Sequence, residues 1–176
     1  AILDEWAARF DIVWIMGVWM PSVKGRQIAQ SHKGLAEEFR RALPDLTPED
    51  VVSSPYSVRD YKVSPLLGGD AALARLRGKM HARGLRLMLD LVPNHTARDH
   101  PWVSAHPDRF VQGTASDISR EPQNYFRAKT DDGMKIFACG RDPYFDGWQD
   151  TAQIDIFSAD MRKAMIELIE SLAGRC

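Results

Sequence analysis

The residues best placed to do chemistry lie together near the middle of the chain, in the run Asp90-Leu91-Val92-Pro93-Asn94-His95. Asp90 interrupts an otherwise apolar segment, residues 85–92, and an ionisable group inside a buried strand is costly unless it is partnered. In parallel α/β folds, groups at the carboxyl ends of strands face the mouth where ligands bind. Asp90, Asn94 and His95 therefore stand where a site is expected. A plainer reading competes with it: Asp90 as a carboxylate that ties down a loop, His95 as a satisfied polar residue. His100 and His106 have no cysteine or acid at ligand spacing, so a loop role is expected for them rather than a metal site.

The elements around this run follow from hydrophobic periodicity. Residues 11–16 form a near-continuous apolar run with β-branched and aromatic members, which predicts a strand buried on both faces. Residues 26–43 carry Leu35, Phe39 and Leu43 at helical spacing and stop at Pro44. Thr47 before Pro48 predicts one short turn. Residues 53–69 read as loop-rich. Asp70 is placed to cap a helix with Leu73, Leu76 and Met80 on its apolar face, and Gly84 to end it. Residues 85–92 are the second strand. Strand, helices, strand is a βαβ crossover, so the strands should be parallel.

From His95 to about Asp150 the periodicity is lost, among prolines and scattered aromatics. So long a stretch reads as a small inserted subdomain, with most of its aromatics forming the core. Residues 158–173 are an amphipathic helix with Met161, Met165, Leu168, Ile169 and Leu172 as its stripe and Ser158 as its cap. The amino-terminal segment places Ile2, Leu3 and Trp6 on one helical face and opens in mid-pattern.

Composition bounds the partners. With 23 Lys+Arg against 24 Asp+Glu, the chain has no basic excess to hold nucleic acid. No apolar run approaches the roughly 20 residues of a membrane helix. The two cysteines, Cys139 and Cys176, are expected to be free thiols, which suits a reducing compartment such as the cytoplasm.

Four ordered segments resemble one family. LRLMLDLVPNHTARDHPW is similar to the first conserved region of the α-amylase family, glycoside hydrolase family 13: an Asp, three residues, then Asn-His at the end of barrel strand 3. FDIVWIMGVWMPS resembles barrel strand 2 and its exit. SPYSVRDYKVSPLLGG resembles the segment that usually reads Gly-Tyr-x-x-x-Asp-Tyr, with Pro55 in place of the Gly. DTAQIDIFSADMRKAMIELI resembles the end of the inserted B domain running into helix 3. The resemblance implies an α/β fold, a fragment of a (β/α)8 barrel. Residues 1–95 would be partial barrel, 96–157 the B-domain-like insertion and 158–176 barrel helix 3.

It also implies roles. Tyr56 matches the tyrosine that stacks on the sugar ring, and His95 the histidine that hydrogen-bonds the same sugar. Asp90 and Asp60 match acids that support the site. Asn94 matches an amide oxygen that binds calcium in many members, with Asp155 the nearest match to its acidic partner. Gln153 stands where an acid is common, which leaves calcium binding open. Ser53 occupies a position where pocket-forming members often carry an acid, whereas DHPW, residues 99–102, resembles the α-glucosidase and sucrase side of the family. The two signals point opposite ways on substrate.

Retaining glycosidases need two flanking carboxyl groups. In the family these follow barrel strands 4 and 5, which have no counterpart here, so no catalytic residue is expected in this segment. The resemblance implies a parent enzyme acting on α-glucans or oligosaccharides and an inactive 176-residue piece. Alternatives are a transglycosylase, or a non-catalytic binding or assembly subunit. A partial barrel would expose sheet edges and helix faces, so self-association or the remaining barrel polypeptide is the expected partner.

Overall fold

A computed structural model describes residues 2–176. Helix α1 (Ile2–Ala7) leads into β1 (Ile12–Ile15), and β2 (Trp19–Pro21) follows at once. Helices α2 (Val23–Ser31) and α3 (Lys33–Ala42) precede β3 (Val58–Val63), α4 (Gly69–His81) and β4 (Arg86–Leu89). Then come β5 (His95–Ala97), α5 (Pro101–Ala105), α6 (Ala115–Arg120), β6 (Tyr125–Thr130), β7 (Gly133–Ala138), β8 (Thr151–Gln153) and α7 (Ala159–Ala173).

The expected crossover is present. β1 pairs with β4 in parallel, Ile12 with Arg86 through Ile15 with Leu89, and α4 covers the join. Leu73 and Met80 of α4 are buried against Leu85, Leu87, Val18 and Trp19, with Val13, Ile15 and Leu89 packed around them. Burial on both faces does not hold. Ile12, Trp14, Met16 and Met88, which alternate with the core residues, are 40–56% exposed. The sheet has two strands among the described residues, so only the face under α4 has a covering layer.

Three local expectations are corrected. Residues 53–69 are not all loop, because Val58–Val63 pairs antiparallel with Trp19–Pro21. The burial of Val58, Tyr61 and Val63 stabilises a strand whose polar members hid its period. The helix across 26–43 breaks at His32, whose imidazole accepts from the Leu35 N–H and starts a second helix. Asp70 is not a cap: Gly68, at φ 87°, begins α4, while Asp70 accepts from the Val63 N–H and from Arg175. A residue with a side chain resists that left-handed backbone, and a Cβ on Gly68 would lie 2.9 Å from Ala72.

The stretch from His95 to Asp150 is more ordered than its sequence suggests. β5 pairs antiparallel with β8, and β6 and β7 form a hairpin around Asp131 and Asp132, with Gly133 at φ 113°. Phe110, Phe126 and Phe137 join Val103, Cys139, Ala152 and Ile154 in a second core. Of the remaining aromatics, Tyr144, Phe145 and Trp148 are exposed. Helix α7, capped by Ser158 as expected, serves both cores: Met161 and Met165 enter the second and Leu172 the first. Ile169 and Ile2, expected on apolar faces, point to solvent. Both cysteines are free, Cys139 buried and Cys176 exposed. Burial raises the Cys139 thiol to about 11.

His100 is a loop residue, as expected, and it is buried and caps α5. Its Nδ1 accepts the Trp102 N–H at 3.0 Å, and its ring packs on Trp102 at 4.7 Å. Burial lowers it from 6.5 to about 4, so the folded chain resists a proton that the unfolded chain accepts. Above pH 6.5 the imidazole is neutral in both states and costs nothing. Stability should fall between pH 6.5 and 4 by up to about 3 kcal/mol from this group. Urea melts across that window should show the loss, and His100→Asn, which keeps a cap acceptor without a titrating group, should flatten it.

Candidate functional site

The site forms where β1 and β4 end. Asp90 follows β4, is 7% exposed and directs both oxygens back to the first strand. Oδ1 accepts from the Trp14 Nε1–H at 2.9 Å, and Oδ2 from the Gly17 N–H at 2.8 Å. Its carbonyl accepts from the Trp19 indole at 2.9 Å. A buried carboxylate with a donor on each oxygen is satisfied, and it holds the two strand ends together. Gly17 has φ 75°, which lets its N–H turn toward Asp90.

Beyond that clasp, Tyr56, His95 and Trp148 converge. Tyr56 is 40% exposed, and its hydroxyl donates to Met16 Sδ at 3.0 Å, just past β1. The Tyr56 backbone lies beside the His95 ring and favours its protonated form. His95, at the start of β5, is buried, and its ring packs on Trp148 at 5.2 Å and 58°. Burial lowers its pKa despite opposition from Asp150 and the Tyr56 backbone, so it is neutral at pH 7. The Asn94 Nδ2 lies 3.2 Å from His95 Nδ1. A half-open cleft of about 490 Å³ continues from Trp148 between Asp150, Ser53, Ile28, Leu35 and Phe39. The apolar face of α3 thus lines a groove and does not enter a core.

Other residues singled out by sequence fall elsewhere. Asp60 is on β3, bonded to Lys62 Nζ at 2.8 Å. Asp155 accepts the Phe157 N–H at 3.0 Å, closing the turn before α7. Ser53 Oγ accepts the Ser22 N–H. Asp99 of the DHPW segment bonds Ser22 Oγ at 2.6 Å and Lys24 N at 3.1 Å, pinning the start of α2.

Calcium does not fit these residues. Asn94 Oδ1 already accepts from Gln153 Nε2 at 3.2 Å, and the Asn94 carbonyl accepts from the same nitrogen at 2.9 Å. The Asp155 oxygen that would join them serves a turn. No three His, Cys, Asp or Glu among the described residues group to hold a metal. A hard cation takes about six to eight oxygens.

Trp148 and Asp150 take part here without a local signal in the sequence, whereas Gln153 shows there only as an amide where an acid is common. Trp148 counted only as one of many scattered aromatics; its signal was exposure, which no period reveals. Among the described residues no helix is long and apolar enough to cross a membrane.

Comparison with known proteins agrees on one family. Residues 45–158 match the description "Alpha amylase, catalytic domain". The chain is 34% identical over 87 residues to an alpha-amylase, SusG, of Bacteroides thetaiotaomicron, covering 49% of this chain and 11% of that protein. It is 39% identical over 57 residues to an oligo-1,6-glucosidase of Heyndrickxia coagulans, covering 32% of this chain and 10% of that one. Among solved structures, the trehalose-6-phosphate hydrolase of Bacillus licheniformis superposes with a TM-score of 0.63 at 16% identity, over 98% of this chain and 28% of the enzyme. That last likeness speaks for the fold alone. The chain spans about a tenth of the two curated relatives and under a third of the enzyme.

The Asp90 clasp makes a measurable demand. Asp90→Ala leaves the Gly17 N–H and the Trp14 indole N–H without their acceptor, while the Trp19 indole keeps the backbone carbonyl, and it should cost about 2–4 kcal/mol in urea unfolding. A loss below about 0.5 kcal/mol would show that the strand ends hold without it.

Proposed function

The chain belongs to the α-amylase catalytic-domain family, and from that premise we propose that it is the sugar-binding part of a (β/α)8 glycosidase that cleaves or transfers α-glucosidic bonds with retention. The observation that carries this reading is the convergence of Tyr56, His95 and Trp148 beside the carboxyl ends of two parallel strands. Residues 96–157 would be the inserted B domain, which brings Trp148 to the strand ends.

Each role follows from chemistry. A half-exposed tyrosine face suits the axial C–H groups of a pyranose. Its hydroxyl, spent on Met16, fixes the ring's tilt. His95, neutral and buried, is suited to hydrogen-bonding a sugar hydroxyl once a ligand enters. Asp90 is a support and not a catalyst, because both its oxygens are committed. Retention needs a nucleophile and a general acid about 5–5.5 Å apart across the bond. The chain's own part is binding and orientation, and those two carboxyl groups would be supplied by strands 4 and 5 of such a barrel. The uncovered face bearing Trp14, Met16 and Met88 is where further strands of such a barrel would pack.

Two measurements test this. The isolated 176-residue chain should not hydrolyse starch, maltose or sucrose; turnover abolished by Tyr56→Ala and His95→Ala would overturn the division of labour. In the longer polypeptide, Tyr56→Ala should lower kcat/KM on a malto-oligosaccharide by about 10–100-fold, and product should form with retained anomeric configuration. An unchanged kcat/KM, or inversion seen by proton NMR, would refute the reading. Light scattering gives an independent check: the isolated chain should self-associate through its uncovered sheet face, and a monodisperse monomer would contradict that.

A further inference from the structure

We infer that Gln153 is a positioning residue whose side-chain amide takes the place of a bridging cation beside His95, making the site independent of calcium and setting which ring nitrogen of His95 carries the proton. Gln153 lies on β8 directly across from His95 on β5. Its Nε2 donates to the Asn94 carbonyl at 2.9 Å, to Asn94 Oδ1 at 3.2 Å and to the Ile154 carbonyl at 3.3 Å. Its Oε1 accepts the Arg141 N–H at 3.3 Å. One amide thus ties together the chain after β4, the chain after β7 and its own strand.

Both arms of this tie end at the His95 ring. Along the first, Gln153 draws Asn94 Oδ1 toward itself, which turns the Asn94 NH2 to His95 Nδ1 at 3.2 Å. An Nδ1 that accepts leaves the proton on Nε2. Along the second, Arg141 is held next to Gly140, whose N–H donates to Thr151 Oγ1 at 3.0 Å and whose carbonyl accepts the Trp148 N–H at 2.8 Å. Trp148 is the ring against His95. Gly140 has no room for a side chain, since a Cβ would sit 2.8 Å from His95 Cβ. The two arms therefore fix the imidazole's tautomer and its packing partner together.

The choice of amide over acid has a physical consequence. The Asn94 carbonyl takes the Ile154 N–H at 3.2 Å, but its second lone pair and Asn94 Oδ1 still form an acceptor pair that some positive charge or donor must satisfy. An NH2 group does so without a counter-charge and without desolvating an ion. A carboxylate at 153 would face the same two oxygens with a third and fourth acceptor. It would be repelled until a cation entered, which recreates a hard-oxygen ligand set.

The experiment uses the whole chain and needs no enzymatic activity, so its failure is separate from any failure of the glycosidase reading. Melting is followed with EDTA and with about 5 mM calcium chloride, a concentration that saturates even weak sites. The wild-type midpoint should agree within about 1 °C between the two, since a ligand that does not bind gives no linkage. Gln153→Glu should be destabilised in EDTA and recover by several degrees in calcium. In 15N-histidine NMR, wild-type His95 should show the Nε2–H tautomer, and Gln153→Ala a mixture of both. Should Gln153→Ala not fold, Gln153→Asn, which keeps the amide but draws it back from Asn94, takes its place with the same expected mixture. A wild-type midpoint that rises with calcium, a Gln153→Glu midpoint blind to calcium, or an unchanged tautomer in the variant would each overturn the inference.

Discussion

Two parallel strands end side by side, and one carboxylate makes the ends a single surface. Asp90 closes β4 and takes its hydrogen bonds from the chain leaving β1: the Trp14 indole and the Gly17 amide. A buried acid without donors would be expelled or protonated, so the donors and the acid require each other. Once they are joined, Met16 is fixed next to Tyr56, and the chain after Asp90 must leave in the direction that carries Asn94 and His95. The candidate site is the outward side of this clasp. Its inward side is the core under α4, where the Asp90 carbonyl and the Trp19 indole meet.

The two cores are kept in register by α7. Its first turns put Met161 and Met165 among the phenylalanines, and its last puts Leu172 under β1 and β4. Arg109, held by Asp160 at 2.6 Å, and Arg175, reaching the Tyr61 carbonyl and Asp70, anchor its two ends to different parts of the chain. Since Trp148 belongs to one part and Tyr56 to the other, the aromatic pair around His95 depends on this helix. Exposed ion pairs of this kind add little by themselves. The buried methionines and leucine carry the connection.

Around His95 the chain uses neutral hydrogen bonds where charge would be the other solution. Burial keeps the imidazole neutral, and amides from Asn94 and Gln153 complete its surroundings. Such a network is satisfied only if each member is correctly oriented, which ties the site's geometry to the β5–β8 pairing. Asp150 is the charge that favours the protonated ring, and its carbonyl is held by Ser57 and Arg98.

Much of this was legible in the linear chain. The apolar runs at 11–16 and 85–92, the periodic helices α4 and α7, and the acid ending the second strand are local signals, because strand and helix periods show in neighbouring residues. The resemblance of four ordered segments to one family was equally local, and it pointed to Tyr56, Asn94 and His95. What the sequence could not reveal depends on residues far apart. The strand Val58–Val63 exists because β2 lies beside it, and the break at His32 because its ring reaches the Leu35 amide in the next helix's first turn. The exposure of Trp14 and Met88 follows from which face α4 covers. Gln153 drew notice only as a missing acid. That its amide meets Asn94 across 59 positions is decided by the pairing of two three-residue strands, and periodicity carries no information about which short strand will find which partner.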